Sequence, residues 1–231
     1  MISRNLQRVA LLVVGLGIAV VCVVQAQSAP VPTTASTSTP DGTDAASDST
    51  SQSAQSIGGS ARWSAAGHDL SNTRNQPLER HIDRNNASTL TVKWVFKTEG
   101  DVSATPAVDD NAVYVPDSAG NLFAIDRRSG QAIWQHKIAD YTGLANDIAR
   151  ATPAIAGDAI IVGDQGGRLN LTAGANVIAI DRRTGNKLWS TQVEANPSAV
   201  ITQSAVVSGD NVYVGVSSIE ETYAATVPGY T

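Results

Sequence analysis

Few residues of this chain combine the type and spacing that chemistry requires, and the acidic pair Glu220-Glu221 is foremost among them. It follows the strand-like run Asn211-Val212-Tyr213-Val214-Gly215. A carboxylate at a strand end can hold a hard cation, although an acid placed there is most often a solvated loop group. Arg150 offers a cation, with Asp147 three residues earlier as its simplest surface partner. His68, His81 and His136 do not share a metal-ligand spacing, and His136, just after a tryptophan, reads as a solvated rim group. The run Gly163-Asp164-Gln165-Gly166-Gly167 is glycine-rich, but no helical pattern follows it, so it does not read as a phosphate loop.

The elements that must position these residues occupy only part of the 231 residues. Residues 1–26 have the layout of an export signal. Arg4 and Arg8 precede the apolar run Val9–Val24, and Val24-Gln25-Ala26 ends in a small residue. That run is 16 residues long, short of the roughly 20 that a spanning helix needs, so no stable membrane anchor is expected. Cys22 is the only cysteine and is preceded by Val20-Val21 rather than small residues, which argues against lipidation. Cleavage after Ala26 would leave no disulfide and move the formal net charge from −5 to −7 by removing Arg4 and Arg8. That balance disfavours a nucleic-acid partner. Residues 27–60 are mostly Ser, Thr, Ala, Pro, Gly and Asp, with no aromatic residue and only Val31 and Ile57 as large aliphatics, the composition of a linker that cannot bury enough apolar surface to order itself.

Residues 61–231 are organised by a repeat. One unit runs Ala104-Thr105-Pro106-Ala107-Val108, Ala112-Val113-Tyr114-Val115, Leu122-Phe123-Ala124-Ile125-Asp126-Arg127-Arg128-Ser129-Gly130, Ala132-Ile133-Trp134. The next runs Ala151-Thr152-Pro153-Ala154-Ile155, Ala159-Ile160-Ile161-Val162, Val177-Ile178-Ala179-Ile180-Asp181-Arg182-Arg183-Thr184-Gly185, Lys187-Leu188-Trp189. Pro106 and Pro153 are 47 residues apart and Trp134 and Trp189 are 55 apart; the surplus falls near Arg168 to Asn176. A third copy opens at Gln203-Ser204-Ala205, and a partial unit ending at Trp94 precedes the first. Short β-branched and aromatic runs between Asp- and Gly-bearing turns predict strands. Three or four strands per unit is the arithmetic of a β-propeller blade. The fold class is therefore all-β, with about three blades, too few to close a ring and with an open strand edge on the last. The repeated tryptophan reads as packing between blades.

The pattern Ala179-Ile180-Asp181-Arg182-Arg183-Thr184-Gly185-Asn186-Lys187-Leu188-Trp189 resembles the tryptophan-docking repeat of the PQQ-dependent (quinoprotein) alcohol dehydrogenases. The lead-in Trp63, Asn72-Thr73-Arg74, Pro77-Leu78, Asn85, Leu90 and Trp94 is similar to theirs. The stretch Val214 to Glu221 and the ending Pro228-Gly229-Tyr230 resemble the branch that oxidises polyvinyl alcohol. The resemblance implies an N-terminal piece of an eight-bladed periplasmic propeller that oxidises alcohols with PQQ and Ca2+ and passes electrons to cytochrome c. It implies Glu220 as a calcium ligand, with Glu221 as its rival one position on. Thr202 and Ser217 fall where the family contacts the PQQ carboxylates, Ser218 and Ile219 where backbone lies against the cofactor plane, and Arg150 where an arginine bonds the quinone oxygens. Ser103 stands where methanol-oxidising members carry a glutamate, and Leu144-Ala145 where many members carry adjacent cysteines. The family's general-base aspartate is expected beyond residue 231, which implies an inactive piece. The alternative is a cofactor-free propeller that acts as a binding or assembly scaffold.

Overall fold

The computed structural model describes residues 62–166, 174–226 and 228–229, and the backbone of residues 9–13 and 20–25. The proposed linker, most of the insertion near Arg168 and the terminal Tyr230 lie outside the described residues. The first strands are β1 (Val9–Val13) and β2 (Val20–Gln25). The first blade is an antiparallel meander of β3 (Ala107–Val108), β4 (Ala112–Pro116), β5 (Asn121–Asp126) and β6 (Ala132–Lys137). After a five-residue helix α1 (Ile138–Thr142), the second blade repeats it with β7 (Ala154–Ala156), β8 (Ala159–Gly163), β9 (Ala175–Asp181) and β10 (Lys187–Glu194). The third unit holds β11 (Ala199–Val200), β12 (Val206–Ser208) and β13 (Asn211–Ser218), followed by α2 (Glu220–Thr226).

The Asp-Arg-Arg-x-Gly turns form for a local reason. In the first blade Asp126 Oδ1 accepts the Arg128 and Ser129 amides at 3.0 and 2.7 Å. In the second, Asp181 Oδ1 accepts those of Arg183 and Thr184 at 3.0 and 2.9 Å. An aspartate that caps its own turn in this way competes with extended pairing and ends the strand. Each turn closes on a glycine in the left-handed region, Gly130 (φ 73°) and Gly185 (φ 76°).

Those glycines also receive the tryptophan of the preceding unit. Trp94 Nε1 donates to the Arg127 carbonyl at 3.1 Å and Trp134 Nε1 to the Arg182 carbonyl at 3.0 Å. A Cβ on Gly130 would sit 2.6 Å from Trp94 Cγ, and one on Gly185 2.8 Å from Trp134 Cδ2. The tryptophan is the interblade fastener that the repeat predicts. Around it, alternate faces of one strand serve two cores. Ile178 and Ile180 pack with Tyr114, Leu122, Trp134 and Ile160 towards the first blade. Val177 and Ala179 pack with Ile201, Val212 and Val214 towards the third. Each large aliphatic so buried contributes about 1.5–3 kcal/mol.

Two expectations are corrected. His136 is half-buried rather than solvated, with its ring 5.7 Å from Trp134 and 5.8 Å from Tyr141. In the uncleaved 231-residue chain the β13 edge is paired: the backbone of β2 runs antiparallel along it from Asn211↔Gln25 to Val216↔Val20, and β1 pairs with β2; cleavage after Ala26 would reopen that edge. The order β12-β13-β2-β1 has the four-strand form of the other two blades. An unpaired edge is a template for extended chain, and the valine-rich segment has the composition that suits it.

Candidate functional site

β11 and β13 bring five of the six proposed site residues together. Pairing of Val200 with Ser217 and of Ala199 with Ser218 sets Thr202 beside Ser217, their hydroxyl oxygens 3.3 Å apart. Ser217 Oγ also donates to the Val200 carbonyl at 3.3 Å. Ser218 Oγ accepts the Glu220 amide at 3.1 Å, and the Ile219 amide donates to the Ser198 carbonyl at 3.0 Å. Thr202, Ser217, Ser218 and Glu220 are all exposed, so their polar atoms can serve a ligand.

Glu220 begins α2 with Glu221 beside it. Its Oε1 accepts Asn196 Nδ2 at 3.1 Å, a partner the sequence did not indicate because it lies 24 residues away. Asn196 Oδ1 is committed to the Ser198 amide at 2.9 Å, which fixes the side-chain amide with its NH2 group towards Glu220. This contact distinguishes Glu220 from its neighbour.

Arg150 stands apart from that cluster. It follows α1 on the connection to β7, is exposed, and donates through Nε to Ser103 Oγ at 3.4 Å. Asp147 is not its surface partner. Gly143 (φ 77°) and Asn146 (φ 62°) turn the chain inward, and Asp147 is buried at 3% exposure. Its carboxylate accepts Thr142 Oγ1 at 2.7 Å and the Ile148 amide at 2.8 Å. Its side chain lies beside that of Asp164, which follows β8. Asp164 is wholly buried and accepts the Asn176 amide and Nδ2, each at 2.6 Å. Burial first, and the Asp147 charge second, push Asp164 up to about 8. Burial pushes Asp147 up as well.

The same dipeptide joins the two parts of the site. The Gln165 amide donates to the Ile148 carbonyl at 2.8 Å, and the Asp164 carbonyl accepts the Ile201 amide at 2.9 Å. Arg150 and Thr202 therefore lie two and one residues beyond bonds to Asp164-Gln165. Gly163 to Gln165 form this junction: a Cβ on Gly163 would run into the Ile201 side chain.

The donor set suits an anionic, oxygen-rich ligand: two adjacent hydroxyls, one exposed guanidinium, and backbone at Ser218-Ile219. A metal would find one carboxylate, Glu220. Ca2+ takes 6–8 oxygens, and among the described residues no three of His, Cys, Asp or Glu gather.

A family model described as outer membrane protein assembly factor BamB, a PQQ-repeat family, matches residues 58–226. The polyvinylalcohol dehydrogenase of Pseudomonas sp is 26% identical over 164 residues, 71% of this chain and 24% of that protein. The 1-butanol dehydrogenase (cytochrome c) of Thauera butanivorans is 29% identical over 176 residues, 73% of this chain and 24% of that protein. The solved structure of a europium-containing methanol dehydrogenase aligns with a TM-score of 0.54 and 25% identity, over 68% of this chain and 28% of that one. The chain spans about a quarter of the length of the curated relatives it matches. It belongs to the family of PQQ-repeat β-propellers that includes the PQQ-dependent alcohol dehydrogenases.

Proposed function

We propose that this chain is part of a periplasmic PQQ-dependent alcohol dehydrogenase that uses Ca2+, oxidises secondary alcohols of the polyvinyl-alcohol class and passes electrons to cytochrome c. The observation that carries this reading is the β11–β13 pairing, which gathers Thr202, Ser217, Ser218, Ile219 and Glu220 on one exposed edge. When bound, PQQ supplies a quinone carbonyl that takes hydride from the alcohol carbon, and Ca2+ polarises that carbonyl. Thr202 would donate its hydroxyl hydrogen to a carboxylate oxygen, Ser217 would do the same on turning its hydroxyl away from the Val200 carbonyl, Arg150 would bond the quinone oxygens, and Glu220, oriented by Asn196, would offer its second oxygen to the cation. Two relatives are named for polyvinyl alcohol and for cytochrome c.

The test is a fluorescence titration of the 231-residue chain with PQQ, with and without Ca2+. Binding should require Ca2+ and weaken about tenfold or more in Arg150→Ala. Dye-linked oxidation should be absent from this chain, to which we assign no general base. Export is tested separately: the protein recovered from the periplasm should begin at Gln27. The family model's own description favours a second reading, an assembly scaffold. PQQ affinity that is undetectable, or unchanged by Ca2+ and by Glu220→Gln, would support the scaffold over the dehydrogenase.

A further inference from the structure

The described residues hold one pair of buried carboxyl groups in direct contact, Asp147 and Asp164. Two carboxylates cannot hydrogen-bond to each other without a proton between them. Among the described residues, the groups that bond the pair are neutral donors. Helix α1 contributes Thr142 Oγ1, the loop after it the Ile148 amide, and β9 the Asn176 amide and Nδ2. Among the described residues, Lys187 Nζ donates to the Tyr141 carbonyl at 2.7 Å and Arg150 reaches Ser103, and neither bonds the pair. One negative charge is thus well served by N–H and O–H donors, and a second would face it with no counter-ion among the described residues.

We propose that Asp147 and Asp164 share a single proton, and that this buried acid–carboxylate bond is a positioning lock that holds the Arg150 segment and the Thr202 segment at a fixed separation. The route is short. Asp147 lies three residues before Arg150, and Asp164 sits between the two backbone bonds, Gln165 N–H to Ile148 O and Ile201 N–H to Asp164 O. Loss of the shared proton puts two like charges in contact inside the interblade core and strains both bonds. Asp147 and Asp164 touch no ligand and act through Arg150 and Thr202. The effect on cofactor geometry rests on the PQQ reading above; the shared proton does not.

The experiment compares the full chain with Asp164→Asn, and with Asp147→Asn should the first fail to fold, at pH 6.5 and 9.5. An asparagine keeps a hydrogen bond to the remaining carboxylate but has no proton to lose. Wild-type infrared spectra at pH 6.5 should contain the carbonyl band of a protonated carboxylic acid. The band should be absent at pH 9.5 and absent from the variant at both pH values. Amide exchange at Gln165 and Ile201, corrected for intrinsic rate, should accelerate about tenfold or more at pH 9.5 in wild type, the equivalent of one pKa unit, and stay constant in the variant. No acid band at pH 6.5, or equal protection at both pH values in wild type, overturns the lock. PQQ affinity that falls at pH 9.5 in wild type alone supports its role in the site, and affinity that falls equally in the variant overturns that role. Absence of PQQ binding alongside the band and the exchange change would defeat the cofactor reading and uphold the lock.

Discussion

Asp117 and Asp164 occupy the same place in consecutive blades, 47 residues apart, and behave in opposite ways. Each ends the second strand of its blade, each is buried at 1% exposure or less, and each binds the amide and Nδ2 of an asparagine, Asn121 or Asn176. Even the neighbouring backbone bond repeats, Ser118 N to Asp101 O and Gln165 N to Ile148 O. Yet Asp117 is held below the usual carboxylate range and Asp164 is raised. Burial pushes both up. For Asp117 the Asn121 donors outweigh it together with the Gly100 and Glu99 amides, which reach its Oδ2 at 2.9 and 3.2 Å. The residue that stands in the second blade where Gly100 stands in the first is Asp147. Where one blade offers N–H donors, the next offers a second carboxyl, and that exchange turns an ionised structural aspartate into a proton-sharing one.

Four measurements would break or sharpen this contrast. The largest effect is expected for Asp117→Asn, which removes several charge-assisted bonds from a buried site. The loss should be about 3 kcal/mol at pH 7 by denaturant unfolding. Asp164→Asn should cost less than about 1 kcal/mol at pH 7, because a neutral partner is already what Asp147 needs; equal losses at the two positions would erase the contrast. The third is the pH dependence of unfolding. Asp164 is raised in the folded state, so its stabilisation is complete near pH 4 and declines until pH passes about 8. The slope should approach about 1.4 kcal/mol per pH unit. Asp117 is lowered, so its contribution is lost only in acid, as pH falls through its folded value below 3.8. Wild-type stability should therefore fall between pH 5.5 and 8, and Asp164→Asn should flatten that fall. The smallest effect is expected for Asn196→Ala: Ca2+-dependent binding should weaken with folding unchanged, and Asn196→Asp should not restore it.

Much of the frame was legible in the sequence because it is local and repeated. The turns at Asp126 and Asp181, the glycines that close them and the tryptophans that dock on them are set by residues within one unit and its neighbour. Glu220, Ser217 and Thr202 could be proposed from a motif. What escaped were contacts that depend on how blades meet. Asp147 looked like a surface partner for Arg150 because the inward turn at Gly143 and Asn146 has no clear signature. Asn196 gave no signal because its bond to Glu220 arises only once β11 pairs with β13. The pairing of β2 with β13 escaped as well, since an apolar N-terminal run is read first as an export signal.

The measurement that tests the functional account most directly is backbone amide chemical-shift mapping of the 231-residue chain as PQQ and Ca2+ are added together. The account predicts perturbations concentrated at Arg150, Thr202, Ser217, Ser218, Ile219 and Glu220, with those at Ser218 to Glu220 lost when Ca2+ is omitted. Shifts confined to other parts of the blades, or none at saturating PQQ, would contradict it.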